Sequence, residues 1–296
     1  MRKRIVVGSR GSRLAQLQAQ SVLAELTSIY PGLDFSLVKV VTKGDRGKAP
    51  FKPFLGTGVF VKELQEALLK GEIDIAIHSL KDLPLKSPEG LLVAAVTSRL
   101  DPRDVFISRG SRLAELSSGS LIGTASPRRT FQLLSYRPDL KVEPIRGNID
   151  TRVRRVMDGE YDGIIVAAAA IIRLGWQDRI TEYLPLEHFL PQAGQGALGV
   201  EIRAGDEEME KLVKPLHHEP TAQSIGAERA LLQALGGGCS EAIGALGTVS
   251  GARLKLQGMV VRKGKAIYES EEGSALEFEK VALKLAEKFK AKADEG

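Results

Sequence analysis

The 296-residue chain is 43% hydrophobic and 27% charged, enough apolar material for two or three cores, which excludes wholesale disorder. Its longest apolar run, Ile164–Ile172, is about half the roughly 20 residues of a membrane-spanning helix. One cysteine cannot close an internal disulfide, and the basic start Met1–Arg4 leads into too short an apolar stretch for a signal peptide, so a cytoplasmic location is expected.

Net charge is +5, from 42 Lys/Arg against 37 Asp/Glu, but it is unevenly spread. Residues 1–60 hold ten basic against three acidic side chains, and residues 120–155 hold eight against three. Two basic regions fit one anionic ligand held from two sides. Aromatics are only 5% and interleave with no basic run, so nucleic acid is not expected.

In chain order, Arg4–Val7 reads as a strand, then a Gly/Ser loop, then a helix from Arg13 to Ile29 with Leu14, Leu17, Leu26 and Ile29 among its apolar positions. Phe35–Val41 is a second strand. Lys43–Gly58 combines Gly/Pro breakers with four basic residues, the composition of a lid or an unstructured segment. Phe60–Lys70 is amphipathic and stops at Gly71, and Ile73, Ile75 and Ile77 alternate as in a strand. This rhythm predicts a mainly parallel sheet flanked by helices. After Asp101-Pro102-Arg103 it restarts: strands at Leu121–Gly123, Val142–Ile145 and Ile164–Ala167, with helices at Arg128–Tyr136 and Thr151–Met157. From Glu219 the pattern changes to a helix through Ala227–Leu235, strands at Ala242–Val249, Leu254–Val261 and Ala266–Glu269, and a final helix from Ala275, a small α+β domain.

Several positions carry candidate chemistry. His78-Ser79-Leu80-Lys81-Asp82 follows a predicted strand, at the sheet end where open α/β folds bind ligands. A carboxylate there could serve as acid, base or stabiliser of a cation; taken alone, the Lys-Asp pair reads more readily as a solvated loop. Arg10, Arg128, Arg129, Arg146, Arg152 and Arg173 fall after predicted strands, where guanidinium forks can bind carboxylates. Loops at Gly8–Leu14 and Gly123–Thr130 each place a helix N-terminus where an anion would sit. Cys239, after three glycines, is either a small core residue or a thiol that a ligand can reach. His217-His218 lacks further metal ligands nearby, and no metal is expected.

Taken together, Gly8-Ser9-Arg10-Gly11-Ser12, Phe60-Val61-Lys62-Glu63-Leu64, His78–Pro84, Asp101-Pro102-Arg103-Asp104, Ser126-Pro127-Arg128-Arg129, Arg146-Gly147-Asn148, Gly194–Gly199 and Gly237-Gly238-Cys239 resemble the porphobilinogen deaminase (hydroxymethylbilane synthase) family, collinearly along nearly the whole chain. The resemblance implies an α/β fold with two periplasmic-binding-protein-like sheet domains and a small α+β C-terminal domain. The expected boundaries are 1–99 with 195–216, 100–194, and 217–296. It implies a transferase that joins four porphobilinogen molecules head to tail with loss of ammonia and releases hydroxymethylbilane. Growth would start from a dipyrromethane cofactor held by a thioether to Cys239. Asp82 would be the catalytic carboxylate. Arg10, Ser12, Ser79, Lys81, Thr124, Ser126, Arg128, Arg129, Arg146, Arg152, Arg173 and Gln195 would bind cofactor and substrate, with Lys52 and Phe60 on a lid. Departures include Thr57, where the family commonly has lysine, and proline at 127.

Six pyrrole rings, each with an acetate and a propionate, account for the many arginines. Two rival readings are an anion receptor of periplasmic type, which leaves Cys239 on its Gly loop unexplained, and a ligand-sensing regulator, for which no helix-turn-helix is found. A monomer is expected, with porphobilinogen as its partner and no membrane.

Overall fold

The computed structural model describes residues 2–40, 61–237, 242–262 and 264–294. They fall into two compact units, Met1–Leu100 with Gly196–Ala222 and Asp101–Gln195 with Gln223–Gly296. The chain runs through β1 (Arg4–Arg10), α1 (Arg13–Ile29), β2 (Asp34–Val40), α2 (Lys62–Leu69), β3 (Ile75–Ser79) and β4 (Leu91–Val96) in the first unit. The second unit takes β5 (Asp104–Ser108), β6 (Leu121–Gly123), α3 (Pro127–Tyr136), β7 (Lys141–Glu143), α4 (Ile149–Met157), β8 (Gly163–Ala167), α5 (Ala168–Arg173) and β9 (Glu182–Tyr183). The first resumes with β10 (Leu198–Arg203) and α6 (Glu207–Val213), and the division falls inside α7 (Glu219–Ala234). Then β11 (Ile243–Ser250), β12 (Arg253–Arg262), β13 (Lys265–Ser274) and α8 (Phe278–Asp294) complete the second unit.

The first sheet has the order β2-β1-β3-β10-β4, with β1 parallel to β2 and β3, and β10 antiparallel to β3 and β4. The second has the order β7-β6-β8-β5-β9, with β6 parallel to β7 and β8, and β5 antiparallel to its neighbours. Both sheets are therefore mixed rather than mainly parallel. The antiparallel strands are β5 and β10, each opening a unit's share of chain after a crossing. A third, antiparallel sheet, β11-β12-β13, packs against α8. The fold is α/β overall.

Burial follows the helix period more strictly than leucine content does. Helix α1 buries Ala15, Gln18, Ala19, Val22 and Leu26, a single stripe at helical spacing. Ile29, three residues beyond Leu26 at the helix's last position, is exposed. The stripe covers Ile5, Val7, Ile75, Ile77, Val200 and Ile202 of the first sheet, each fully buried side chain stabilising the fold by about 1.5–3 kcal/mol. In the second unit Val105, Ile107, Ile164 and Val166 pack on one side of the sheet, and Phe106, Ile122, Ile165 and Phe189 on the other.

Candidate active site

In the first unit, β1 ends at Arg10 and β3 at Ser79, and the two strands are parallel, so Arg10, Ser12, Ser79, Lys81 and Asp82 gather at one carboxyl edge. Ser12 caps α1: its Oγ accepts from the Ala15 N–H at 3.3 Å. Ser79 Oγ accepts from Gln18 Nε2 at 2.8 Å. Gln18 is a site neighbour that the sequence reading misses. Its signal is a long polar side chain on an otherwise apolar helix stripe.

Asp82 closes one turn of 3-10 helix, Leu80–Asp82, and is half-buried, as is Lys81. The turn is fixed at both ends, Leu80 N donating to Ala197 O at 3.1 Å and Leu83 N to Leu80 O at 3.2 Å. It folds down over β10 because position 199 has no side chain. A Cβ on Gly199 would lie 2.6 Å from Leu80 Cδ1 and 3.0 Å from Leu83 Cδ1. His78, in the same run, turns the other way. Its Nε2 is 3.1 Å from Glu201 Oε2, and Gln65 Nε2 donates to Glu201 Oε1 at 2.9 Å, all three within the core.

In the second unit, the loops after β6 and β7 supply Thr124, Ser126 and Arg146, and the helices that follow β6, β7 and β8 supply Arg128 and Arg129 (α3), Arg152 (α4) and Arg173 (α5). Ser126 caps α3, accepting from Arg129 N at 3.4 Å, and Thr124 Oγ1 accepts from Ser126 N at 3.2 Å. Pro127 occupies the first helical position, where its missing N–H costs nothing. Ser126 N, Arg129 N and Thr130 N are thus bonded within the turn and Pro127 has no N–H, so few backbone donors at this helix N-terminus are left for an anion.

Arg128 and Arg129 are not surface cations. They are 4% and 8% exposed, and both pair with the fully buried Asp104 at the start of β5, at 2.8 and 2.7 Å. Arg128 Nη1 also donates to Leu190 O at 2.6 Å and Gln132 Oε1 at 3.0 Å, and Arg129 Nη1 to Ile165 O at 3.2 Å. Gln195, fully buried, donates to the same carboxylate at 2.9 Å and to Pro102 O at 2.8 Å. Burial alone would raise the Asp104 carboxyl, but Arg128 and Arg129 outweigh it and hold the group well below the usual carboxylate range.

Two guanidiniums share one carboxylate, so this buried trio is net cationic. Arg129 Nε is buried with no hydrogen-bond partner among the described residues. Arg152 and Arg173 are both pushed down to about 10, Arg152 by burial and the nearby Arg129 charge, and Arg173 by burial. Arg152 Nε donates to Gly147 O at 2.8 Å, while Arg146 is exposed on the preceding loop. A carboxylate arriving here would meet partly desolvated cations, where charge-assisted hydrogen bonds are strongest. Cys239, Lys52, Thr57, Phe60 and the Lys43–Gly58 segment lie outside the described residues.

Each unit thus gathers polar side chains at the carboxyl edge of parallel strands, one edge with a half-buried aspartate and one with arginines. This is the arrangement of α/β proteins that handle ligands at sheet ends. The chain belongs to the porphobilinogen deaminase family. Residues 5–211 match the family model for "Porphobilinogen deaminase, dipyromethane cofactor binding domain", and residues 222–291 match "Porphobilinogen deaminase, C-terminal domain". The porphobilinogen deaminase of Geobacter metallireducens is 46% identical over 98% of this chain and 92% of that protein. Those of Thermus thermophilus and Carboxydothermus hydrogenoformans are 46% and 47% identical, covering 95% and 99% of this chain and 94% and 95% of theirs. Among solved structures, the methionine binding protein MetQ is similar over 77% of this chain and 94% of its own, with TM-score 0.47 and 18% identity.

Proposed function

We propose that this chain condenses four porphobilinogen molecules into hydroxymethylbilane, with Asp82 as the catalytic carboxylate and Cys239 as the thioether attachment point of the primer. Membership of the family makes it a transferase of tetrapyrrole synthesis with a dipyrromethane cofactor. The observation that supports the anion-binding edge is the buried Arg128–Asp104–Arg129 trio with its unsatisfied Arg129 Nε and the desolvated Arg152 near Arg129.

The donor set fits the cofactor. Two pyrrole rings bring four carboxylates, and on the second edge Arg128 and Arg129 share the single buried carboxylate of Asp104, leaving an excess positive charge for an incoming anion. When bound, the dipyrromethane supplies a tethered pyrrole terminus, so that each condensation is effectively intramolecular. Asp82 then acts on the incoming unit. Loss of ammonia leaves an azafulvenium-type cation, and the carboxylate stabilises it at the pyrrole N–H. Arg10 and Lys81, on the same edge, bind the acetate and propionate of that unit, and Ser12 and Ser79 add hydroxyl donors. Arg146, Thr124, Ser126 and Gln195 complete or support the second edge.

Three domains are proposed within this frame: 1–99 with 195–216, 100–194, and 217–296. No helix among the described residues is long and apolar enough to cross a membrane. A monomeric cytoplasmic enzyme that takes porphobilinogen and no nucleic acid is the reading we adopt. The variant Cys239→Ala tests the assignment: it should fold and make no tetrapyrrole, and normal turnover would overturn it.

A further inference from the structure

Glu228, on α7, is fully buried, and neither sheet edge uses it. Its carboxylate accepts two backbone hydrogen bonds, from Gly194 N at 2.7 Å and from Gly247 N of β11 at 2.8 Å. The same short loop is joined to β11 twice more. Ala245 N donates to Pro191 O at 2.9 Å, and Gly244 packs so closely that a Cβ there would lie 2.9 Å from Leu190 Cβ. On its other side the loop holds the arginine trio: Leu190 O accepts from Arg128 Nη1 at 2.6 Å and Gln132 Nε2 at 3.1 Å, and Gln195 donates to Asp104 at 2.9 Å. Gly247 admits this packing, since a Cβ there would lie 2.5 Å from Ser224 O of α7.

Residues 190–195 therefore connect the arginine-bearing edge with α7 and β11, the two elements between which Cys239 stands in the sequence. We infer that Glu228 is a positioning residue for the covalent primer: by clamping residue 194 to residue 247, it ties α7 and β11, the elements that flank position 239 in the sequence, to the segment that holds Arg128 and Arg129. A carboxylate suits this task, because each of its two oxygens accepts one N–H. An amide of the same size has one accepting oxygen and would turn its NH2 toward the other donor.

The inference rests on Cys239 as the attachment point, and the parent enzyme's intact mass with a map of the modified peptide checks that separately. In Glu228→Gln, primer acquisition from porphobilinogen, followed by intact mass well below the variant's melting temperature, should slow by on the order of 10-fold to 100-fold, the scale of a small misplacement of reacting groups. Molecules already loaded should keep the parent's KM. A purely structural role would lower melting temperature while leaving loading per folded molecule at the parent rate, and that result would overturn the inference. If Glu228→Gln does not fold, amide hydrogen exchange of the loaded parent against Cys239→Ala decides. The Gly194 and Gly247 amides should both be more protected in the loaded protein, and equal exchange in the two would overturn the inference.

Discussion

Arg129 donates through one guanidinium nitrogen to Asp104, 2.7 Å away, and keeps its Nε buried without a hydrogen bond among the described residues. The pair is one of two that Asp104 makes, the other being with Arg128, so removing the carboxylate leaves two buried guanidiniums without their shared anion. Asp104→Asn should therefore destabilise the fold by about 3–5 kcal/mol, read by urea unfolding at pH 7. The Asp104 carboxyl is lowered in the folded state, so its contribution is present above the unfolded value of about 4 and lost as pH falls below it. The gap between parent and variant should accordingly shrink below about pH 4. A gap under about 1 kcal/mol at pH 7 would contradict a structural trio.

Asp82 stands apart from that network, half-buried at the end of its 3-10 turn. Asp82→Asn preserves shape and removes charge. We expect the parent's melting temperature and a turnover rate lower by about 10²-fold or more, the scale for a lost preorganised charge. A rate within a few-fold of the parent would move the chemistry to another group.

The turn's position depends on Gly199. Gly199→Ala puts a methyl 2.6 Å from Leu80 Cδ1 and 3.0 Å from Leu83 Cδ1; both leucines are buried, and we expect their displacement to carry the Leu80–Leu83 turn, and Asp82 with it. Turnover should fall by on the order of tenfold or more from this displacement, although position 199 touches no substrate. Steady-state kinetics on the folded variant checks it. A destabilised protein with the parent's kcat would show that the leucines, and not the turn, yield.

Much of this was legible in the residues. Helix α1, β8 and the first two strands of the C-terminal sheet fall within a residue of where the pattern puts them, β3 lies two residues later, β13 runs on to Ser274, five residues past its expected end, and the polar runs after β1, β3 and β6 end at carboxyl edges. Strands β5 and β10 were not legible, because their direction depends on a chain that leaves one unit and returns, which local periodicity does not encode. The same holds for Asp104. In sequence it is one acidic residue in Asp101-Pro102-Arg103-Asp104, and only the antiparallel pairing of β5 with β8 brings it beneath Arg128 and Arg129, more than twenty residues on. Gln18 and Glu228 escaped for a related reason: each sits mid-helix, with a partner distant in the chain.

Arg152 offers a test that separates binding from folding. Burial and the Arg129 charge push it down to about 10, so at neutral pH the side chain stays charged but holds that charge at a cost in the free protein. Arg152→Leu should leave stability at neutral pH unchanged or raised, while the porphobilinogen concentration for half-maximal rate rises by on the order of tenfold. Thermal unfolding and a substrate titration on one preparation decide it. Lower stability with unchanged substrate dependence would make Arg152 a structural residue.

The central claim is that growth occurs on a primer bonded to this chain. Intact mass spectrometry of the purified active protein, before and after limiting porphobilinogen, tests it directly. The account predicts a mass above that of the 296 residues by one dipyrromethane, then a ladder of species each heavier by one pyrrole unit, with neither in Cys239→Ala. An active protein at the bare chain mass that makes hydroxymethylbilane without any ladder would contradict it.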